Sequence, residues 1–132
     1  MKKWGFFILL LAIYSSVFAF GMSRTFDGPP MPDLVRPYGE KVDLSGKDSL
    51  EFKWSINDSM NISYCEFRLY KGREMYEDNL IYKQQVFSPD HMLQLKADLF
   101  EDGQAYSWFV FEVGLDGKKS DKAYSAFKVI KK

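Results

Sequence analysis

Tyr106-Ser107-Trp108-Phe109-Val110 constrains this 132-residue chain more than any other stretch. Bulky apolar residues recur there at period two (Tyr106, Trp108 and Val110), the mark of a strand with one face turned to a core. The stretch follows Leu99-Phe100 and Asp102-Gly103. A glycine turn with a tyrosine at the strand entrance fits a corner where the chain passes between two sheets.

The rest of the chain repeats this alternation. Leu50-Glu51-Phe52-Lys53-Trp54 alternates without a fault, sending Leu50, Phe52 and Trp54 inward. Residues 62–71 place Cys65, Phe67 and Leu69 on one face and Tyr64, Glu66, Arg68 and Tyr70 on the other. Residues 80–86 form a shorter strand with Lys83 at its middle, a placement that keeps an edge strand from pairing with foreign strands. Residues 92–99 return with Leu93, Leu95, Ala97 and Leu99 in register, and the strand of Trp108 runs to about 113. Asp116-Gly117 marks a tight turn before a last strand, 124–130, that buries Phe127 and Val129. Asp33-Leu34-Val35-Arg36-Pro37 is a first edge strand, which 41–44 continue. Seven strands joined by short turn clusters, with no helical periodicity among them, predict an all-β, seven-stranded β-sandwich.

The N-terminal 32 residues stand outside this pattern. Lys2-Lys3 precede an apolar run from Trp4 to Tyr14, and Ser15-Ser16-Val17-Phe18-Ala19 sets Val17 and Ala19 where a signal peptidase reads. This layout predicts a signal-peptide helix over 1–19, cleaved after Ala19. Its apolar core falls short of the roughly 20 residues a spanning helix needs, so a retained anchor is the lesser reading. Residues 20–32, with Gly21, Gly28, Pro29, Pro30 and Pro32, read as an extended tether, and 33–132 as one domain. The expected location is the periplasm or the cell surface.

Cys65 is the only cysteine, so no intramolecular disulfide can form and stability must come from packing. It reads as a small buried hydrophobe, since no His or basic cluster adjoins it to make a reactive thiol. Eighteen basic residues balance eighteen acidic ones. That balance gives no electrostatic case for nucleic acid or for an anionic membrane surface. His91 is the only histidine, and Ser88-Pro89-Asp90-His91 packs a Ser, an Asp and a His into one turn. A catalytic triad needs those groups to converge from separate elements, so a solvent-facing loop residue explains His91 better. Asp116 to Asp121 carries two lysines that would repel a cation, which favours a polar hairpin over a calcium loop. There is no Gly-rich phosphate loop and no metal-spaced Cys/His set. No catalytic residue, cofactor or metal is therefore expected.

The span 32–130 resembles the fibronectin type III-like modules of secreted and envelope bacterial proteins. The residues that carry the likeness are Trp54, Gly103-Gln104-Ala105-Tyr106-Ser107-Trp108-Phe109-Val110, Gly117 through Ser120, and Phe127-Lys128-Val129. Such modules show a Leu, a turn Gly and then Tyr-x-Trp-x-Val. Here Leu99 lies one residue further from Gly103 than usual, or Phe100 takes its place. The resemblance implies an immunoglobulin-like sandwich in which the Trp108 strand lies between the strands of Tyr64 and Tyr124. It says little about function, because this fold hosts many roles.

With Tyr106, Trp108 and Val110 inward, period two sends Phe109, Phe111 and Val113 to the opposite face. That face then carries Tyr64, Arg68, Tyr70, Phe109, Phe111 and Tyr124 as an exposed aromatic patch, the candidate binding site. If the rings cover one another, the patch is local packing instead. The expected function is an exported, non-enzymatic binding or scaffolding module that docks a protein partner or envelope component through a sheet face or an edge strand. The alternatives are a carbohydrate-binding module, since planar rings stack on sugars, and a structural subunit of a cell-envelope assembly.

Overall fold

The faultless alternation at Leu50-Glu51-Phe52-Lys53-Trp54 ends in a strand, β3 (Ser49–Ser55), that buries all three of its apolar residues. A computed structural model describes residues 28–57, 61–87 and 89–132. The other strands are β1 (Asp33–Arg36), β2 (Lys41–Asp43), β4 (Ile62–Lys71), β5 (Leu80–Phe87), β6 (Met92–Lys96), β7 (Ala105–Gly114) and β8 (Ala123–Ile130). They build a three-stranded sheet, β1-β3-β6, facing a five-stranded sheet, β2-β8-β7-β4-β5. Lys83 lies exposed on β5, which is an edge strand. The signal-peptide helix expected over 1–19, and the tether as far as residue 27, lie outside the described residues. Among those described, no helix is long and apolar enough to cross a membrane.

Among the described residues the strands number eight rather than seven, because 33–37 and 41–44 do not continue one another. β1 pairs antiparallel with β3, whereas β2 pairs parallel with β8 in the other sheet. Between them Pro37 has no N–H to give a ladder, and Gly39 takes a positive φ of 61° that turns the chain away. The Trp108 indole Nε1–H donates to the Pro37 carbonyl at 3.1 Å, and the Gly39 N–H donates to the Ala126 carbonyl at 2.9 Å. These two bonds fix the crossing against the five-stranded sheet.

Rings fill the space between the layers. Phe52 meets Phe67 edge-on at 5.0 Å, Trp108 at 5.1 Å and Phe127 at 5.7 Å, while Trp54 stacks on Phe67 at 6.2 Å. Contacts of this geometry add about 0.5–1.5 kcal/mol each beyond the area they bury. Both Trp54 and Trp108 are fully interior, as their phase in the sequence requires.

The corner before β7 holds the second departure from the sequence reading. β6 stops at Lys96, and Ala97–Leu99 forms a single 3-10 turn. That tighter winding shifts the phase, so Phe100 (1% exposed) enters the core while Leu99 stays at its margin. Phe100 then meets Tyr106 edge-on at 5.1 Å. The Tyr106 hydroxyl accepts the Glu101 backbone N–H at 2.7 Å, tying the strand entrance to the turn before it. Burial raises the pKa of that hydroxyl.

Candidate binding face

Antiparallel pairing of β4 with β7 sets Tyr64 opposite Val113, Glu66 opposite Phe111, Arg68 opposite Phe109 and Tyr70 opposite Ser107. On the other side of β7, Phe109 faces Tyr124 of β8. All six residues singled out in the sequence therefore lie on the outer face of the five-stranded sheet. Their exposure differs from expectation. Phe109 (3% exposed), Phe111 (8%) and Tyr70 (3%) are buried, Tyr64 and Arg68 are half-buried, and only Tyr124, at 65%, is open to solvent.

The rings are covered in two ways. They lean on one another, with Phe109 stacked on Phe111 at 6.1 Å and Tyr70 tilted against Phe109 at 5.9 Å. Together with Val113 they make a second, smaller core, against which Tyr64, Met75 and Leu80 pack. Long cationic side chains then roof that core. Lys122 Nζ lies 4.8 Å and Arg68 Cζ 5.8 Å from the centre of the Phe109 ring, and Lys119 Nζ lies 5.7 Å from that of Phe111. The aliphatic stems shed water from the rings while the charges stay wet. Each cation–ring contact at such a site is worth about 0.5–1 kcal/mol.

Arg68 is the fixed member of this roof. Its Nε donates to Glu66 Oε2 at 2.9 Å, and that bond, with a further one to Tyr70, raises its pKa. Lys119 and Lys122 form no ion pair among the described residues. Around them lies a shallow depression of about 190 Å³, lined by Arg68, Phe109, Phe111, Lys119, Ser120 and Lys122. Lys122 also borders a second depression of about 240 Å³, where Met31, Tyr38 and Tyr124 stand exposed.

Lys119, Lys122, Tyr38 and Met31 were not legible as part of this face. The hairpin lysines read only as a polar turn, and their reach over Phe111 follows from a fold-back that sequence period does not encode. Three bonds close that fold-back: the Ser120 N–H donates to the Glu112 carbonyl at 2.9 Å, the Glu112 N–H donates to Ser120 Oγ at 2.8 Å, and the Gly114 N–H donates to the Lys118 carbonyl at 2.8 Å. Gly28 seats the start of the described chain on the same hairpin, since a Cβ there would lie 2.0 Å from the Lys119 carbonyl oxygen.

Glu112 was also missed as an inward residue, although it continues the phase of Tyr106, Trp108 and Val110. It is fully buried and sits opposite Cys65. Burial pushes the Cys65 thiol up to about 11; the Glu112 charge adds to the rise and the Trp54 indole opposes it. A thiol so held is a packing group. His91 is half-buried, and its carbonyl accepts the Trp54 N–H at 3.1 Å, closing the turn into β6. Among the described residues no three His, Cys, Asp or Glu side chains gather to hold a metal ion.

This double sheet with a tyrosine corner is a fibronectin type III-like β-sandwich. Among solved structures the chain is similar to a fibronectin(III)-like module of CbhA from Clostridium thermocellum, at 18% identity and a TM-score of 0.53, covering 76% of this chain and 98% of that one. It is similar also to a myokine, at 15% identity and a TM-score of 0.53, covering 77% and 98%. A redesigned β-sandwich protein shares the architecture at 11% identity and a TM-score of 0.55, covering 82% and 94%. No family profile matches the chain, and comparison with curated proteins finds no sequence relative. These likenesses show the fold.

Proposed function

We propose that this chain is an exported, non-enzymatic module that docks a protein partner on the outer face of its five-stranded sheet. The observation that carries this reading is the Phe109–Phe111 layer, roofed among the described residues by three long cationic side chains and flanked by the exposed Tyr124. Lys119 and Lys122, with no ion pair among the described residues, move aside at small cost, so a partner that replaces them gains contact with the rings beneath. Tyr124 supplies an anchor already in solvent.

A photoreactive residue in place of Tyr124 is expected to give a discrete cross-linked protein adduct in cells, and one in place of exposed Lys96, on the three-stranded sheet, none. The same adduct from both positions, or none from either, overturns the docking reading. Export rests on the residue pattern of 1–19. It predicts a mature protein beginning at Phe20 in the periplasmic or surface fraction; recovery of the intact chain in the cytoplasm refutes it.

Carbohydrate binding is a second reading, favoured by the exposed Tyr38 and Tyr124 that border the 240 Å³ depression. It predicts retention on polysaccharide gels that Tyr38→Ala and Tyr124→Ala each weaken. A chain that runs unretarded through every such gel ends it.

A further inference from the structure

We infer that the depression over Phe109 and Phe111 receives a carboxylate side chain from an acidic, aromatic-bearing polypeptide segment; the inference rests on the docking reading above and adds the chemistry of the partner. Three cationic groups stand within 6 Å of two ring centres, with no carboxylate lining the hollow they surround. Arg68 is held by Glu66 through Nε and by a further bond to Tyr70, which leaves the remaining terminal guanidinium N–H groups for an incoming carboxylate. Lys119 and Lys122 supply charge with no ion pair among the described residues to give up. Ser120 Oγ already accepts from the Glu112 N–H and donates to the Asp121 carbonyl, so recognition falls to the cations. An anion drawn in between the lysines pulls them from the rings, and an aromatic residue beside it in the same segment takes their place.

The size of the hollow chooses between an acidic peptide and an extended polyanion. About 190 Å³ has room for roughly six waters, the scale of one acidic side chain. Nucleic acid and anionic bilayers draw their affinity from many charges in a row. Here the whole chain is formally neutral, and Glu66, Asp116 and Asp121 flank the three cations. The positive field is local, which suits a short acidic segment.

Fluorescence anisotropy on the full chain tests this with a labelled peptide carrying a Glu-Asp-Phe-Glu run and its Gln-Asn-Phe-Gln counterpart. The acidic peptide is expected to bind at least about tenfold more tightly, with the difference shrinking as salt rises. Lys119→Glu with Lys122→Glu is expected to abolish that preference, Lys119→Arg with Lys122→Arg to keep it, and Lys96→Glu on the far sheet to leave it untouched. Circular dichroism confirms that each variant is folded. If both peptides bind equally, the charge selection is wrong while the docking reading stands. If neither binds, the inference falls, and the Tyr124 cross-link decides separately whether the docking reading falls with it. Stronger binding to phosphatidylglycerol vesicles than to the acidic peptide, lost in the Lys→Glu pair, overturns it in favour of a membrane surface.

Discussion

The Tyr106 hydroxyl accepts the Glu101 N–H from a ring that is almost fully enclosed, so Tyr106→Phe removes an acceptor and leaves a backbone donor behind. That loss costs about 1–3 kcal/mol. The urea midpoint is expected to fall with an unchanged slope, and an unmoved midpoint contradicts the corner's role. Cys65 offers a pH test. Its thiol is raised from the ordinary 9.0 to about 11, chiefly by burial, so the folded chain holds this proton more tightly than the unfolded chain. The contribution is complete below about pH 9 and is lost as pH climbs through 11. The thermal midpoint of the native protein should therefore drop faster across that window than that of Cys65→Ala; parallel curves would refute the assignment. For Phe109→Ser or Phe111→Ser, the burial seen here predicts a loss of about 2–4 kcal/mol in denaturant unfolding. Exposed rings would have cost under about 1 kcal/mol. Period two told which face these rings share. It could not tell that Lys119 and Lys122 lie over them, because that depends on how a hairpin outside the repeat folds back.

At the scale of elements, β3, β4 and β7 were legible because apolar residues recur at period two along each, even though β7 is buried on both faces. The switch from β1 to β2 was not. Leu34 and Val42 both pack on the same core from opposite sheets, so the apolar pattern runs on without a break while the hydrogen-bond partners change. A Pro-x-Gly between two apolar positions eight residues apart was the available sign. The 97–99 turn was half legible, since the spacing to Gly103 allowed either Leu99 or Phe100 inside. Its neighbour Gly103 holds a positive φ of 77° with open space where a Cβ would go. Gly103→Ala therefore carries backbone strain without a clash, about 1–2 kcal/mol, read as a lowered thermal midpoint. Equal midpoints for the two proteins would show that the corner relaxes.

For the molecule as a whole, cohesion lies in the ring-filled interior rather than in covalent bridges. Cys65 is free and buried, so the thermal midpoint should be the same with and without a thiol reductant. A reductant-dependent midpoint would point to a link between chains. The pairing of β2 with β8 bears on a different property. The two strands run parallel, with the Lys128 N–H donating to the Glu40 carbonyl and the Leu44 N–H to the Ile130 carbonyl, one near the sequence start of the domain and the other at its end. Once β1 has yielded, tension between the two ends drags these strands in opposite directions along their common axis. The bonds then bear the load side by side instead of parting in turn, and the module should resist stretching more stubbornly than its size alone would suggest.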